Sequence, residues 1–206
     1  MGLKDAREGK LLYHLTALEN MESIIRDGLK SRRSLQQEGD AEFSDIADPE
    51  IIEKRQQQHL DNYVPFHFHP YSAFDFAVKN NHPDKQFVYI TITREFAKEN
   101  GYKVEPQHPL SGAVAQPILY DYEEGFAKID WDAVAKPGNE DEHVRCSKMA
   151  ECLSGNTVQA REFHTIFVPD EQAKNKIEAL LRQNGITDEM LPYVNVQEMW
   201  FRINNK

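Results

Sequence analysis

Apolar and polar positions along the chain predict short strands and helices in an irregular order. Five stretches are rich in the aromatic and β-branched residues that favour strands, namely Leu11–Leu15, Tyr63–Pro70, Gln86–Ile92, Glu162–Val168 and Val194–Phe201. Five others space their apolar residues as a helix does, namely Thr16–Gly28, Pro49–Leu60, Ser72–Asn80, Arg94–Asn100 and Asp170–Gly185. Because strands and helices do not alternate regularly, the pattern predicts an α+β fold.

Capping residues indicate where the predicted helices begin and end. The cap signals are three pairs, Thr16 with Glu19, Asp48 with Pro49, and Ser72 with Asp75. Gly28 follows the apolar stripe of the first helix and is a natural residue to end it. These signals predict helix boundaries that do not depend on tertiary structure.

The segments between these elements are polar or rich in turn residues. Lys30–Asp48 is polar and acidic, so we expect a mobile loop there, and residues 101 to 110 are expected to be loosely ordered. Residues 113–119 resemble a strand, which Pro117 restricts to a sheet edge. Gly138–His143 is acidic and predicts a solvated loop.

Length and composition suit one globular domain spanning residues 1–206. The chain has 40% hydrophobic and 28% charged residues, which is enough apolar material to fill a core. No run approaches the roughly 18–20 apolar residues that span a bilayer, and the first residues lack the apolar region of a signal peptide. Cys146 and Cys152 do not form a disulfide framework. We therefore expect a cytoplasmic protein with no membrane partner.

The net charge of −10 argues against a protein that gains affinity by covering many phosphates with cations. It does not exclude a short contact with the bases of a single nucleic-acid strand. The densest basic stretch, Arg26–Ser34, is most simply interpreted as a solvated turn.

Three residues, His14, Thr16 and Arg55, need individual consideration, although His14 and Thr16 taken singly do not support a functional claim. His14 and Thr16 lie two residues apart on a predicted strand, so their side chains point to the same face. Arg55 falls on the inward helical stripe of Ile51 and Ile52, with His59 one turn further. A guanidinium on the packed side needs an anionic side chain or a phosphate, and the spacing does not decide between these two.

Other chemistries find little support in the residue pattern. His67 and His69 alternate on a strand, and Cys146 and Cys152 lie near His143, but their spacing matches no standard zinc pattern. No nucleophile elbow or phosphate-binding glycine loop is present. We therefore expect no metal.

Four segments together resemble the DarT family of ADP-ribosyltransferases. They are YHLTALEN from Tyr13, the Arg55 helix with DNYVPFHFHPYS from Asp61, SKMAECLSG from Ser147, and VNVQEMWF from Val194. Three positions differ from the family motifs, which have arginine at Tyr71 and phenylalanine at His67 and Cys152. The resemblance implies mixed and antiparallel sheets around a central NAD cleft, with helices at the periphery.

The family's activity is the transfer of ADP-ribose from NAD+ to a base of single-stranded DNA. The resemblance therefore implies an enzyme that uses NAD+ as a substrate and needs no metal. It also implies a toxin of a toxin–antitoxin or phage-defence system, restrained by an antitoxin such as an ADP-ribose-removing macrodomain protein. The acceptor stays open between thymine, guanine, a base of RNA, a protein and a small molecule. A non-enzymatic nucleotide-binding module is the remaining alternative.

The resemblance also assigns roles to individual residues. Glu151 corresponds to the family glutamate that contacts the ribose next to nicotinamide and helps to deprotonate the attacking base. A fixed carboxylate there stabilises an oxocarbenium-like ribose. Arg55 corresponds to the arginine that holds the NAD phosphates or the developing charge. The remaining residues implied to bind NAD are His14, Thr16 and Asn20 for the ribose and nicotinamide amide, and Phe76 as a stacking wall.

Overall fold

One sheet runs through the centre of the fold. This computed structural model describes residues 6–39, 43–70, 72–107, 116–138, 141–187 and 192–202. The strands in those residues are β1 Leu11–Ala17, β2 Val64–His67, β3 Phe87–Thr93, β4 Lys103–Glu105, β5 Tyr120–Asp121, β6 Glu151–Ser154, β7 Thr165–Val168 and β8 Tyr193–Val196. Their order across the sheet is β5-β4-β6-β2-β1-β3-β7-β8. Neighbouring strands are antiparallel except for β7 and β8, which are parallel.

Helices surround this sheet and complete the predicted α+β fold. They are α1 Met21–Asp27, α2 Arg32–Glu38, α3 Pro49–Gln57, α4 Ala73–Asn81, α5 Arg94–Glu99, α6 Tyr122–Lys128, α7 Trp131–Ala135, α8 Glu142–Lys148 and α9 Glu171–Gln183. Short 3-10 turns occur at Leu18–Asn20, Leu60–Asn62, Ala160–Glu162 and Glu198–Trp200. Within the described residues, no helix combines the length and apolar character needed to cross a membrane.

Several predicted boundaries are confirmed because local chemistry sets them. The Asp48 side chain accepts a hydrogen bond from the Glu50 amide at 2.8 Å, and α3 begins at Pro49. Ser72 and Asp75 form the reciprocal capping box that their spacing predicts. The first helix ends at Gly28, which adopts φ 88°.

Three predictions near the first and third helices are wrong. Thr16 does not cap a helix, because β1 continues to Ala17 and the Thr16 hydroxyl accepts a hydrogen bond from the Asn20 side chain. Part of the expected loop Lys30–Asp48 is α2, which buries no residue and therefore shows no apolar stripe in the sequence. His59 does not continue the inward stripe, because α3 ends at Gln57 and His59 is exposed with φ 59°.

The segments that precede β5 and α8 also differ from the prediction. Residues expected to be loosely ordered include β4, whose Val104 is fully buried, while residues 108–110 lie outside the described part. Of the predicted edge strand 113–119, residues 116–119 are not a strand and the rest is not described. Helix α8 begins at Glu142, inside the predicted acidic loop, of which residues 139–140 are not described.

The sheet separates along the boundary between β1 and β2. Strand β1 pairs with β3 at seven consecutive positions but with β2 only through Tyr13 and His67. The His14 ring nitrogen Nδ1 bridges the gap, lying 2.8 Å from the Pro65 carbonyl oxygen of β2. A side chain thus replaces backbone pairing at this point, which leaves room between the strands for a cleft.

Gly28 joins α1 to the segment that lines this cleft, and it offers a test of the fold. We expect Gly28→Ala to lower the free energy of unfolding by at least about 1 kcal/mol, because its φ is positive and a Cβ would lie 2.5 Å from Thr157 Cγ2. Gly185→Ala is the matched control, since its φ of 74° is similar but no atom lies within 4 Å. Urea unfolding of both variants measures the difference. Equal losses would show that contact with Thr157 does not constrain Gly28.

Candidate active site

A cleft opens beside the split in the sheet and encloses about 1200 Å³ of empty space, its open mouth included. Residues of β1, β2 and β6 and of helices α1 to α4 line it. Concave sites that are largely apolar and carry a few polar groups are typical of small-molecule binding. The cleft is therefore the candidate site for the chemistry that the sequence indicated.

An ion pair between Arg55 and Glu151 lies in this cleft. Arg55 Nη1 donates hydrogen bonds to both carboxylate oxygens of Glu151 at 2.8 Å, although the residues are 96 positions apart in the chain. Side-chain exposure is only 8% for Arg55 and 6% for Glu151. The Arg55 Nη2 group is buried without a hydrogen-bond partner among the described residues. Because an unpaired buried donor is costly, this nitrogen is well placed for an anionic ligand.

Glu151 is the first residue of β6 and lies between two titratable neighbours. His67 of β2 faces it on one side and Glu105 of β4 on the other. Burial, reinforced by the negative charge of Glu151, raises the pKa of Glu105 to about 8, although Arg55 acts in the opposite direction. A carboxyl that retains its proton near neutral pH therefore lies beside the Arg55–Glu151 pair.

His14 is a neutral ring at physiological pH. Burial lowers the pKa of His14 to about 4, and its hydrogen bond to Pro65 opposes this shift. With Nδ1–H donating to the Pro65 carbonyl, the other nitrogen, Nε2, is left as a hydrogen-bond acceptor. His14 and Thr16 both line the cleft.

Asn20 and Phe76, which the resemblance also implied, are not among the residues that line the cleft. Asn20 is buried behind the cleft, where its amide donates to the Ser44 carbonyl at 3.0 Å and its carbonyl accepts from the Ser44 amide at 2.9 Å. Phe76 is 59% exposed and lies outside the lining, which instead contains Phe74 from the same helix. Two residues along an α-helix differ by about 200° in direction, so only one of these rings can face the cleft.

Two cations that the sequence assigned to a solvated turn line the cleft. Lys30 and Arg32 belong to its wall, and each has an acidic partner, Glu38 at 2.5 Å and Asp45 at 2.7 Å. No pattern in the sequence indicates this position, because α2 has no apolar face that would fix its direction. These two side chains are therefore cations of the cleft wall that are already neutralised by carboxylates.

Metal and thiol chemistry find no support in the described residues. They contain no cluster of three histidine, cysteine or acidic side chains able to hold a metal. The ring nitrogens of His69 lie 3.0 and 2.8 Å from the carbonyl oxygens of Pro70 and Lys148. Cys146 and Cys152 are buried thiols, and burial raises the pKa of Cys152 well above its usual value.

Comparison with known families decides the family. A family model described as "ssDNA thymidine ADP-ribosyltransferase, DarT" matches residues 13–202. The chain belongs to the DarT family. It is therefore an NAD+-dependent ADP-ribosyltransferase. No curated protein matches the sequence.

Solved structures show the same fold for this DarT-family chain. DarT of Thermus sp. 2.9 in complex with ADP-ribosylated ssDNA has a TM-score of 0.75 and 19% identity, covering 95% of this chain and 97% of that one. Its complex with NAD+ has a TM-score of 0.71 and 19% identity, covering 95% and 98%. Thermosipho africanus DarTG in complex with ADP-ribose has a TM-score of 0.75 and 17% identity, covering 94% of this chain but 51% of that one.

The structure thus brings four of the six implied site residues into one cleft. His14, Thr16, Arg55 and Glu151 line it, whereas Asn20 and Phe76 do not. For the DarT-family reaction, the cleft combines a carboxylate, a guanidinium with an unbonded nitrogen and a neutral imidazole.

The Arg55–Glu151 pair can be tested by its effect on stability. We expect Arg55→Met or Glu151→Leu alone to lower the free energy of unfolding by about 3 kcal/mol, because each leaves a buried charge unpaired. The double variant should regain most of that loss. Urea unfolding of a double-mutant cycle measures the coupling. Lys54→Met, on the exposed side of α3, is the control and should change stability by less than about 0.5 kcal/mol. Strictly additive losses would show that the two side chains do not pair.

The neutral state of His14 gives a second prediction. In NMR titrations, the His14 ring should keep its neutral chemical shifts down to about pH 5, since burial lowers its pKa to about 4. An unfolded histidine protonates near 6.5, so the unfolded chain binds more protons below that pH. His14 should therefore reduce stability as pH falls from 6.5 towards 4 and have no effect above 6.5. A midpoint near 6.5 in the folded protein would contradict this.

Proposed function

We propose that this chain transfers ADP-ribose from NAD+ to thymidine of single-stranded DNA as a single domain, with Glu151 and Arg55 as its catalytic residues. The observation that supports these roles most directly is the buried Arg55–Glu151 pair in the cleft, with Arg55 Nη2 unbonded. A purely structural ion pair would not need an unsatisfied donor beside a cleft. The family description and the ADP-ribosylated ssDNA bound to the Thermus protein support thymidine as the acceptor.

The first step breaks the bond between the nicotinamide nitrogen and C1′ of the ribose. The bonding electrons move to the ring nitrogen, so nicotinamide leaves as a neutral molecule and positive charge develops on the ribose. Glu151 is fixed by two hydrogen bonds from Arg55, so its negative charge is already oriented when the ribose charge appears. Such preorganised charges are worth several kcal/mol in a site that excludes water.

Arg55 has two roles in this proposal, one for each terminal nitrogen. Nη1 orients the Glu151 carboxylate, while Nη2 donates to a phosphate oxygen of NAD+. Lys30 and Arg32 lie in the same wall, where each is paired with a carboxylate, and we propose that they exchange this partner for the second phosphate. The diphosphate would thus be held by point charges and a guanidinium fork.

The β1 residues and an aromatic ring orient the nicotinamide end. The acceptor nitrogen of His14 binds a ribose hydroxyl, and the Thr16 hydroxyl binds the amide or ribose nearby. Phe74 takes the stacking position that the resemblance gave to Phe76, because its ring faces the cleft and contacts His67. Holding the sugar and ring in this way reduces the entropic cost of reaching the transition state.

In the second step a base nitrogen attacks C1′ and loses its proton. For thymine the attacking atom is N3, and Glu151 takes the N3 proton as the new C–N bond forms. The net charge of −10 is consistent with an acceptor recognised through its bases, with few phosphate contacts.

Biological context is also part of the proposal. An enzyme that modifies DNA bases needs restraint in its host, so we propose a toxin with an antitoxin partner such as an ADP-ribose-removing macrodomain protein. This chain spans about half of the Thermosipho chain named DarTG, which is consistent with a toxin that functions beside a second component. Phage defence is the setting we propose for it.

Mass spectrometry of oligonucleotides tests the activity. Incubated with NAD+ and a thymidine-containing single-stranded DNA, the protein should add the mass of one ADP-ribosyl group. Glu151→Gln should reduce the rate by roughly 10²–10³-fold, because the neutral amide cannot stabilise the ribose cation or take the proton. Glu124→Gln, an exposed change in α6, should leave the rate unchanged.

The same experiment separates the alternatives. Three other samples are incubated in the same way: oligonucleotides that lack thymidine, RNA of the same sequence, and a protein lysate treated with nuclease. If one of these becomes labelled instead, it identifies another acceptor. Full activity of Glu151→Gln on thymidine would contradict the proposed role of Glu151. Failure to consume NAD+ with any acceptor would leave the cleft as a nucleotide-binding module.

A further inference from the structure

A second carboxyl lies beside Glu151, and the steps proposed above do not use it. Glu105 ends β4 and is paired in register with Glu151 of β6. Residues directly opposite in an antiparallel pair have their side chains on the same face, with Cβ atoms about 5 Å apart. Both residues are buried, with 7% and 5% exposure. Two acidic side chains thus share one buried region with one guanidinium.

Glu105 has unsatisfied hydrogen-bonding capacity in that region. Its Oε2 atom is buried and has no hydrogen-bond partner among the described residues. Burial removes water from an ionised carboxylate there at a large cost in free energy, whereas the cost for a protonated carboxyl is far smaller. The geometry therefore favours a proton on Glu105 while Arg55 neutralises Glu151.

Among the residues that the structure describes, few charged or titratable groups lie around Glu105. Glu151 faces it from β6, Arg55 acts on it from α3, and His67 lies beyond Glu151 on β2. On its own strand, Lys103 points to the same face but is bonded to Asp121 of β5 at 2.6 Å.

Helix α6 also packs against β4, but from the other side. Its Gly125 lies against Val104, whose side chain points away from the Glu105 face. Of these neighbours, Arg55 and Glu151 are the two whose charges act on Glu105, in opposite directions.

We propose that Glu105 is a positioning residue that holds a proton beside Glu151 and thereby keeps Arg55 available to Glu151 and to the NAD diphosphate. This rests on the proposed roles of Arg55 and Glu151. When Glu105 ionises, its new charge competes for Arg55 and repels the phosphates. Burial and the charge of Glu151 raise the pKa of Glu105 to about 8, so this change falls just above neutral pH.

Binding of ADP-ribose, which has no nicotinamide bond to cleave, tests the proposal without any acceptor. Calorimetry between pH 6.5 and 9.5 should show the wild-type Kd weakening about tenfold as pH rises through 8, since one pKa unit of coupling is a factor of ten. In Glu105→Gln, an uncharged mimic of the protonated side chain, the Kd should stay constant over that range. The same alkaline weakening in Glu105→Gln as in wild type would overturn the proposal.

Direct observation of the carboxyl provides a readout that is independent of binding. Carbon-13 NMR of wild type should show one glutamate titrating near pH 8, and Glu105→Gln should lack that signal. Glu151→Gln should move the midpoint to lower pH, because it removes the neighbouring charge that raises the Glu105 pKa. A Glu105 midpoint near 4.5 in wild type would overturn the proposal even if the variants failed to fold.

Stability adds a second check with a defined sign. The folded pKa of about 8 lies above the ordinary glutamate value of 4.5, so unfolding releases a proton between these two pH values. The contribution of Glu105 to stability therefore falls as pH rises from 4.5 to 8, and Glu105→Gln should remove that fall. Loss of transferase activity in Glu151→Gln tests the proposed function instead, so the two can fail separately.

Discussion

The buried contact between Arg55 and Glu151 is the interaction on which the site depends. It joins the helix α3 to the first residue of β6 across 96 positions of sequence. Removing two charges from water often costs more free energy than their attraction provides. A buried ion pair is therefore weak evidence that its role is to stabilise the fold. Here the arginine makes hydrogen bonds through Nη1 while Nη2 has no partner among the described residues. The catalytic role proposed for a fixed carboxylate would explain why this cost is tolerated.

The divided sheet provides the space in which this pair acts. If β1 and β2 were paired along their whole length, the backbone ladder would close the cleft. Instead, within the described residues β1 and β2 share one residue pair, and the side chains of His14 and Arg94 add hydrogen bonds across the gap. The His14 ring, which burial keeps neutral, links the two strands and also provides a hydrogen-bond acceptor in the cleft. Glu105 extends the polar row on the far side of Glu151, so titratable groups from three adjacent strands, β4, β6 and β2, meet at one place.

Local sequence signals predicted much of the fold, and each failure has a physical reason. Long periodic elements such as α9, and caps such as Asp48, were found because their stabilising groups are close in sequence. Helix α2 and strand β4 were missed. The former buries no side chain and the latter has only three residues, so neither leaves a periodic pattern. Thr16 was wrongly predicted to cap a helix because Thr16 and Glu19 are spaced as in a capping box, although Thr16 lies near the end of a strand.

For the site, the sequence by itself determined that Arg55 lies on the packed side of its helix, because helical spacing relates it to Ile51 and Ile52. Motif resemblance added Glu151, His14 and Thr16, and it named Phe76, whereas the phenylalanine of that helix that lines the cleft is Phe74. Only the tertiary structure decided that Glu151 would meet Arg55 and that Glu105 would lie beside both. Strand order and register set these contacts, and they join residues so far apart in the chain that no local pattern records them.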